Sequence, residues 1–359
     1  MRTLALGLIA AMAGVALVVV VALQVPLVTD TIATRMIERQ LAEQRHALLE
    51  PDALRVLLCG TGSPLPDPSR AKACVAVFAE NQIWVVDVGP GAANSLAVLG
   101  VDTSRIGAVL LTHFHSDHIG DLAELNMQSW ASGRVLPLRV YGPPGVERVV
   151  SGFNEAYALD SEYRTAHHGE RFMPLATSVM KAETIDEPRY GEGPTVVLEL
   201  GDLRIRAFPV RHDPVRPAYG YRFDYRGRSV VISGDTSPAP ALVDAARGAD
   251  VLVHEAEAKH IVSKISEVAA ELGRPRVAKI MADIRDYHSS PREAAGAANA
   301  AGVKLLVLTH LVPPPTNRVA ERIFTRGIGE VRKDGWLLGR DGLLIALPAG
   351  SQSIDVDAL

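Results

Sequence analysis

Thr112-His113-Phe114-His115-Ser116-Asp117-His118-Ile119-Gly120-Asp121 is the stretch that decides how this sequence folds. Three histidines and one aspartate fall between positions 113 and 118, directly after the apolar run 108–111 and before a helical pattern over 122–130. A strand that ends in such a loop and continues as a helix presents its side chains at the end of a sheet. Imidazole and carboxylate are good zinc ligands, at roughly 2.0–2.2 Å. Residues so close in sequence cannot all face one ion. The spacing suits a division, with His113 and His115 toward one metal and Asp117 and His118 toward a second. A surface loop that merely happens to be rich in histidine accounts poorly for four potential ligands at a strand end.

Outward from this loop, short runs rich in Val, Ile and Leu alternate with turn signals and helical patterns. Candidate strands are 55–59, 74–78, 83–88, 108–112, 138–141, 195–200, 203–209, 219–225, 229–233, 251–254, 303–309 and 343–347. Several are apolar throughout, as strands covered on both faces would be. Ser290-Pro291-Arg292-Glu293 reads as a capping box with proline at the first helical position, and Gly302 closes the helix it opens. Residues 160–194 are the least regular stretch and read as an insertion or lid. Gly60-Thr61-Gly62 and Gly89-Pro90-Gly91 lack the spacing of phosphate-binding loops and read as turns. Three further candidates sit at strand ends: His212, Asp235 in Ser233-Gly234-Asp235-Thr236, and His310 in Val307-Leu308-Thr309-His310. Taken singly, His212 or His310 would more often be a buried structural histidine than a ligand.

The H-x-H-x-D-H pattern of residues 113–118 resembles the signature of the metallo-β-lactamase superfamily, and the likeness extends over about residues 55 to 347. It implies an α/β fold of four layers, an αββα sandwich. His212, followed closely by Tyr219-Gly220-Tyr221-Arg222, resembles the third ligand motif of the ribonuclease Z and arylsulfatase-like branches. Asp235 matches the bridging carboxylate and His310 the last ligand. The resemblance assigns His113, His115 and His212 to one zinc, Asp117, His118 and His310 to the other, and Asp235 to both; other divalent ions are compatible with the set. Two divalent ions about 3.5–4 Å apart need a shared carboxylate and hydroxide to offset their repulsion. In the ribonuclease Z pattern, His288 would protonate or stabilise the leaving group and Glu255 would orient its imidazole. Asp87 resembles a position that holds a ligand imidazole.

Hydroxide formed on zinc near neutral pH is the nucleophile such a site implies, with Asp117 able to accept the water proton. No G-x-S-x-G elbow supports a covalent alternative. Only 221–233 separates the aromatic strand from the Ser-Gly-Asp turn, which leaves no room for the arm usual in tRNA-processing members. The expected reaction is therefore hydrolysis of a small phosphodiester or an aryl sulfate ester, and nucleic acid is not expected as a partner. A β-lactamase role fits less well, because Asp235 stands where many lactamases carry cysteine. The same fold also hosts di-iron redox proteins and inactive binding modules; no flavodoxin-like segment follows residue 349.

Composition bounds the rest. The chain has 359 residues and a formal net charge of −4, with no basic excess that points to nucleic acid. Residues 3–29 carry no charge until Asp30, and 4–23 is long enough to cross a bilayer as a helix. The expectation is a membrane-spanning signal anchor or a signal peptide over 1–29, with Val20-Val21-Ala22 as one cleavage pattern. A helical spacer (30–50), a hydrolase domain (51–349) and a tail (350–359) follow. The catalytic body is then expected outside the cytoplasm, periplasmic or extracellular, tethered to a membrane; a homodimer stays open. In that setting Cys59 and Cys74 could pair, or remain two buried thiols.

Overall fold

The structure, a computed structural model, describes residue 12 and residues 23–42, 46–187 and 193–359. Residues 1–45 and 46–359 form two compact units. In the first, helix α1 (Pro26–Ala42) carries exposed Asp30, Arg35 and Glu38. Among the described residues, no helix is long and apolar enough to cross a membrane. The expected membrane-spanning helix is thereby corrected: the helix that is described begins after the apolar run and is charged along its exposed length. Most of that run, residues 1–11 and 13–22, lies outside the described residues. The membrane as a partner, and the placement of the body outside the cytoplasm, rested on that helix and are set aside with it.

The second unit contains two sheets. Its strands in chain order are β1 (Ala53–Gly60), β2 (Cys74–Ala79), β3 (Gln82–Val86), β4 (Ile106–Leu110), β5 (Leu138–Gly142), β6 (Met180–Thr184), β7 (Thr195–Leu200), β8 (Leu203–Pro209), β9 (Tyr219–Tyr225), β10 (Arg228–Ile232), β11 (Val251–Glu257), β12 (Leu305–Val312), β13 (Trp336–Leu338), β14 (Leu343–Pro348) and β15 (Asp355–Ala358). One sheet runs β15-β14-β1-β2-β3-β4-β5-β6 and the other β13-β12-β11-β10-β9-β8-β7. Each is part antiparallel and part parallel: β3 to β6 pair in parallel, as do β10 to β13.

Strand periodicity explains why the runs are apolar throughout. Successive side chains of a strand point to opposite faces. In β1, Leu54, Val56 and Leu58 face the other sheet and pack with Ile205, Tyr221, Phe223, Val253 and Val307. The alternate residues Leu57 and Cys59 face outward, against Leu96 of α2 (Ala92–Val98), Leu122 and Leu125 of α4 (Leu122–Ala131) and Val146 of α5 (Val146–His168). Beyond the second sheet, Leu252, Leu306 and Leu308 pack on helices α6 (Pro240–Ala246) and α9 (Pro291–Ala301). The central strands of both sheets are therefore covered on both faces, which gives the αββα layering. Burying each such Leu or Val contributes about 1.5–3 kcal/mol.

At the start of α9 the capping box is complete: Ser290 Oγ accepts from Glu293 N–H at 3.3 Å, and Glu293 Oε2 accepts from Ser290 N–H at 2.7 Å. Gly302 ends the helix at φ 68°. Cys59 and Cys74 are joined as a disulfide across β1 and β2. Residues 160–194, read as an insertion, hold the end of α5 and the edge strand β6, which pairs with β5. Within them, 188–192 lie outside the described residues. The tail 350–359 contains β15, whose exposed side chains give no apolar period to read.

Candidate metal centre

The two sheets meet at one end, and there the loops after β4, β8 and β10 come together with the end of β12. Tyr219 N–H donates to the Thr112 carbonyl at 3.0 Å, tying the two sheets at the root of the histidine loop. The turn after β3 lies beneath this loop: Val88 N–H donates to the His118 carbonyl (2.7 Å) and Asp121 N–H to the Val88 carbonyl (3.0 Å). Only glycine fits at position 89, because a Cβ there would lie 2.0 Å from the Asp117 carbonyl oxygen.

Two non-glycine residues of the centre, Asp87 (φ 57°) and His310 (φ 45°), adopt left-handed backbone. That conformation costs energy for a residue with a Cβ and clusters at functional sites. At Asp87 it ends the strand two residues before the expected boundary at 88 and turns the carboxylate inward. Asp87 Oδ1 accepts from Thr112 N–H at 2.8 Å, and Oδ2 accepts from Thr112 Oγ1 and lies 2.8 Å from His118 Nδ1. This leaves His118 Nε2 facing the centre.

Around that point the side chains converge. His113 Nε2 lies 2.9 Å from His115 Nδ1, and His212 Nε2 lies 3.3 Å from the same atom. His310 Nε2 is 3.1 Å from Asp117 Oδ2. Asp235 Oδ2 lies 3.3 Å from His118 Nε2, 3.5 Å from His310 Nε2 and 3.9 Å from both His113 Nε2 and His212 Nε2. Ligand-competent atoms of His113, His115, His212 and Asp235 fall within 4.8 Å of one another, as do those of Asp117, His118 and His310, and those of Asp235, His288 and His310. All seven residues anticipated as ligands are thus in one place, buried except His115.

The residues fit divalent cations. His118 Nε2, Asp235 Oδ1 and His310 Nδ1 are buried with no hydrogen-bond partner among the described residues. An unpaired buried polar atom is costly, and a cation there would satisfy it. Burial holds His212 down to about 4 and His113 well below the usual imidazole range, so both keep a free lone pair. Burial opposes ionisation of Asp235, but His310 and His118 draw its carboxyl well below the usual range.

His288 stands at the edge of this cluster. Its Nδ1 lies 3.3 Å from Glu255 Oε1, which also accepts from Ser289 N–H (2.8 Å) and Thr236 N–H (3.3 Å). His212 Nδ1 is 3.3 Å from the Tyr287 carbonyl. Thr112, Thr236, Tyr287 and Ser289 were not singled out from the sequence. Their adjacency to Asp235, His288 and the histidine loop was the one signal available, since they act through backbone groups or a single hydroxyl.

Comparison with known proteins follows the same lines. The β-lactamase superfamily domain model matches residues 84–311. Ribonuclease Z of Mycobacterium bovis (strain BCG / Pasteur 1173P2) is 41% identical over 263 residues, covering 72% of this chain and 86% of that protein. The chain belongs to the metallo-β-lactamase superfamily, in its ribonuclease Z branch. Ribonuclease Z of Mycobacterium avium (strain 104) is 40% identical over the same shares. Among solved structures, the short form of human tRNase Z superposes with a TM-score of 0.57 at 21% identity, covering 82% of this chain and 99% of that one. A metallo-β-lactamase fold protein from Bacillus subtilis gives 0.56 at 19% identity, covering 82% and 100%. These two share the fold.

As a ribonuclease Z-like member of the superfamily, the chain is a metallo-hydrolase. Two expectations are corrected. The arylsulfatase alternative finds no support in these relatives. The exclusion of nucleic acid does not stand either, because the relatives that align over most of the chain are named ribonucleases.

Proposed function

We propose that this protein is a two-zinc phosphodiesterase that hydrolyses RNA-type phosphodiester bonds. The observation that carries the reading is the convergence of five imidazoles and two carboxylates at the joined ends of both sheets, with three of their buried atoms unpaired. His113, His115 and His212 would hold one ion and Asp117, His118 and His310 the other, with Asp235 shared. When bound, such ions activate water near neutral pH and stabilise charge on the attacked phosphate. Asp87 and Thr112 hold the His118 and His113 rings in the required orientation. Asp117, beside His310, is placed to accept the proton of the attacking water. His288, backed by Glu255, would protonate the leaving oxygen with the proton released by the attacking water, since burial holds its imidazole down to about 4 and so neutral at rest. Burial of the centre keeps bulk water from competing for these groups.

Elemental analysis of the purified full chain should find two zinc ions per chain. Bis(p-nitrophenyl) phosphate and a short RNA should be turned over, and p-nitrophenyl sulfate should not. His115→Ala should lower turnover by at least about a hundredfold, since a metal contributes several kcal/mol. His288→Ala should slow RNA far more than the activated diester, whose leaving group needs no proton. Iron in place of zinc, or sulfate turnover above diester turnover, would refute the reading.

A further inference from the structure

A cavity of about 310 Å³ opens beside the metal centre, with His212 in its wall. Its other walls are the apolar Pro209, Val210, Pro217, Ala239 and Ala241 and the charged Arg211, Arg216, Asp213 and Glu187. Ligand pockets run from about 300 to 1,000 Å³, so this one takes a single mononucleotide-sized unit and no duplex.

The cavity is registered to the centre. Arg211 N–H donates to Thr236 Oγ1 at 3.1 Å, Ser237 N–H donates to the Arg211 carbonyl at 2.8 Å, and Val215 N–H donates to the His212 carbonyl at 2.8 Å. The loop that carries the arginines is thereby stapled to the segment after Asp235, and its position relative to His212 and Asp235 is fixed. Whatever fills the cavity is held at a set distance from His212 and Asp235.

The wall chemistry narrows the occupant. Arg216 is paired with Asp213, whereas Arg211 is exposed and makes no ion pair among the described residues. A pocket of two arginines and two carboxylates is no simple phosphate trap, because its charges offset one another. Proline and alanine faces with a guanidinium edge suit a base turned out of its stack. Carboxylates accept from the exocyclic amine of such a base. We infer that this cavity is the subsite for the nucleoside next to the scissile phosphate. Arg211 lies against the base plane, and Glu187 accepts from an exocyclic amine.

This rests on the phosphodiesterase reading, and two separate readouts keep them apart. Hydrolysis of bis(p-nitrophenyl) phosphate by the wild-type protein tests the reading itself. Calorimetric titration of the metal-loaded full chain with CMP, UMP and inorganic phosphate tests the subsite. CMP should bind at least tenfold more tightly than phosphate and several-fold more tightly than UMP. Arg211→Ala and the cavity-filling Ala241→Trp should each cut the ratio of CMP to phosphate affinity by about tenfold. Glu187→Gln should erase the preference over UMP. If CMP binds no better than phosphate, or if Arg211→Ala and Ala241→Trp leave that ratio within twofold, the inference is overturned even where the diester is hydrolysed.

Discussion

Glu257 offers a sharp test of how this site is built. It lies fully buried at the end of β11, two residues beyond Glu255, and neither carboxylate oxygen has a hydrogen-bond partner among the described residues. Burial pushes its carboxyl up from 4.5 to about 7, against the opposing pull of His288 and the nearby cations Lys259 and Arg285. A raised acid pKa means that the folded state keeps a proton which the unfolded chain releases near 4.5. Stability is therefore greatest below that value and falls as pH rises toward 7. The full loss is about 3 kcal/mol, of which roughly 2.5 kcal/mol falls between pH 5 and pH 8. Glu257→Gln removes the titration while keeping shape and size. In urea unfolding at equal metal loading, the variant should be within about 1 kcal/mol of wild type at pH 5 and about 3 kcal/mol more stable at pH 8, with unchanged m-value. A difference that stays flat between those pH values, or a variant less stable at pH 8, would refute the argument that an unpaired carboxyl is stored there.

Three other outcomes follow from the geometry. Asp87→Asn keeps an acceptor for Thr112 but removes the charge beside His118 Nδ1, so metal affinity measured by competition with a chelator should fall about 10–100-fold with the fold retained by circular dichroism. Gly89→Ala forces a Cβ to within 2.0 Å of the Asp117 carbonyl, and the purified variant should carry less metal and melt several degrees lower; full occupancy at an unchanged Tm would contradict that packing. Replacing Cys59 and Cys74 together by alanine should cost about 3 kcal/mol for a loop of 15 residues, read as a lower urea midpoint than the oxidised parent, with no such gap against the reduced parent.

Much of the centre was legible because metal chemistry restricts residue type. Only a few side chains bind zinc, so His113, His115, Asp117 and His118 stand out when four fall in one loop. The sheets were legible for a related reason: a strand covered on both faces carries a nearly continuous apolar run, as β1 does apart from Arg55 and β12 does apart from Thr309 and His310. β6, β13 and β15 left no such trace, because edge strands are partly exposed and need no apolar period. The bilayer expectation went wrong for a comparable reason. An apolar run of spanning length states what a segment could do in lipid, and says nothing of which helix the chain forms beside it.

By itself, the sequence determined which side chains could meet a metal and that strands and helices would alternate around a dry core. Tertiary structure decided that residues as far apart as His113 and His310 share one centre. It decided too that Asp87 and His310 take left-handed backbone to aim inward, and that Glu257 is sealed without a partner. These depend on where two sheets touch, through contacts between residues far apart in the chain, and no local propensity encodes such a contact.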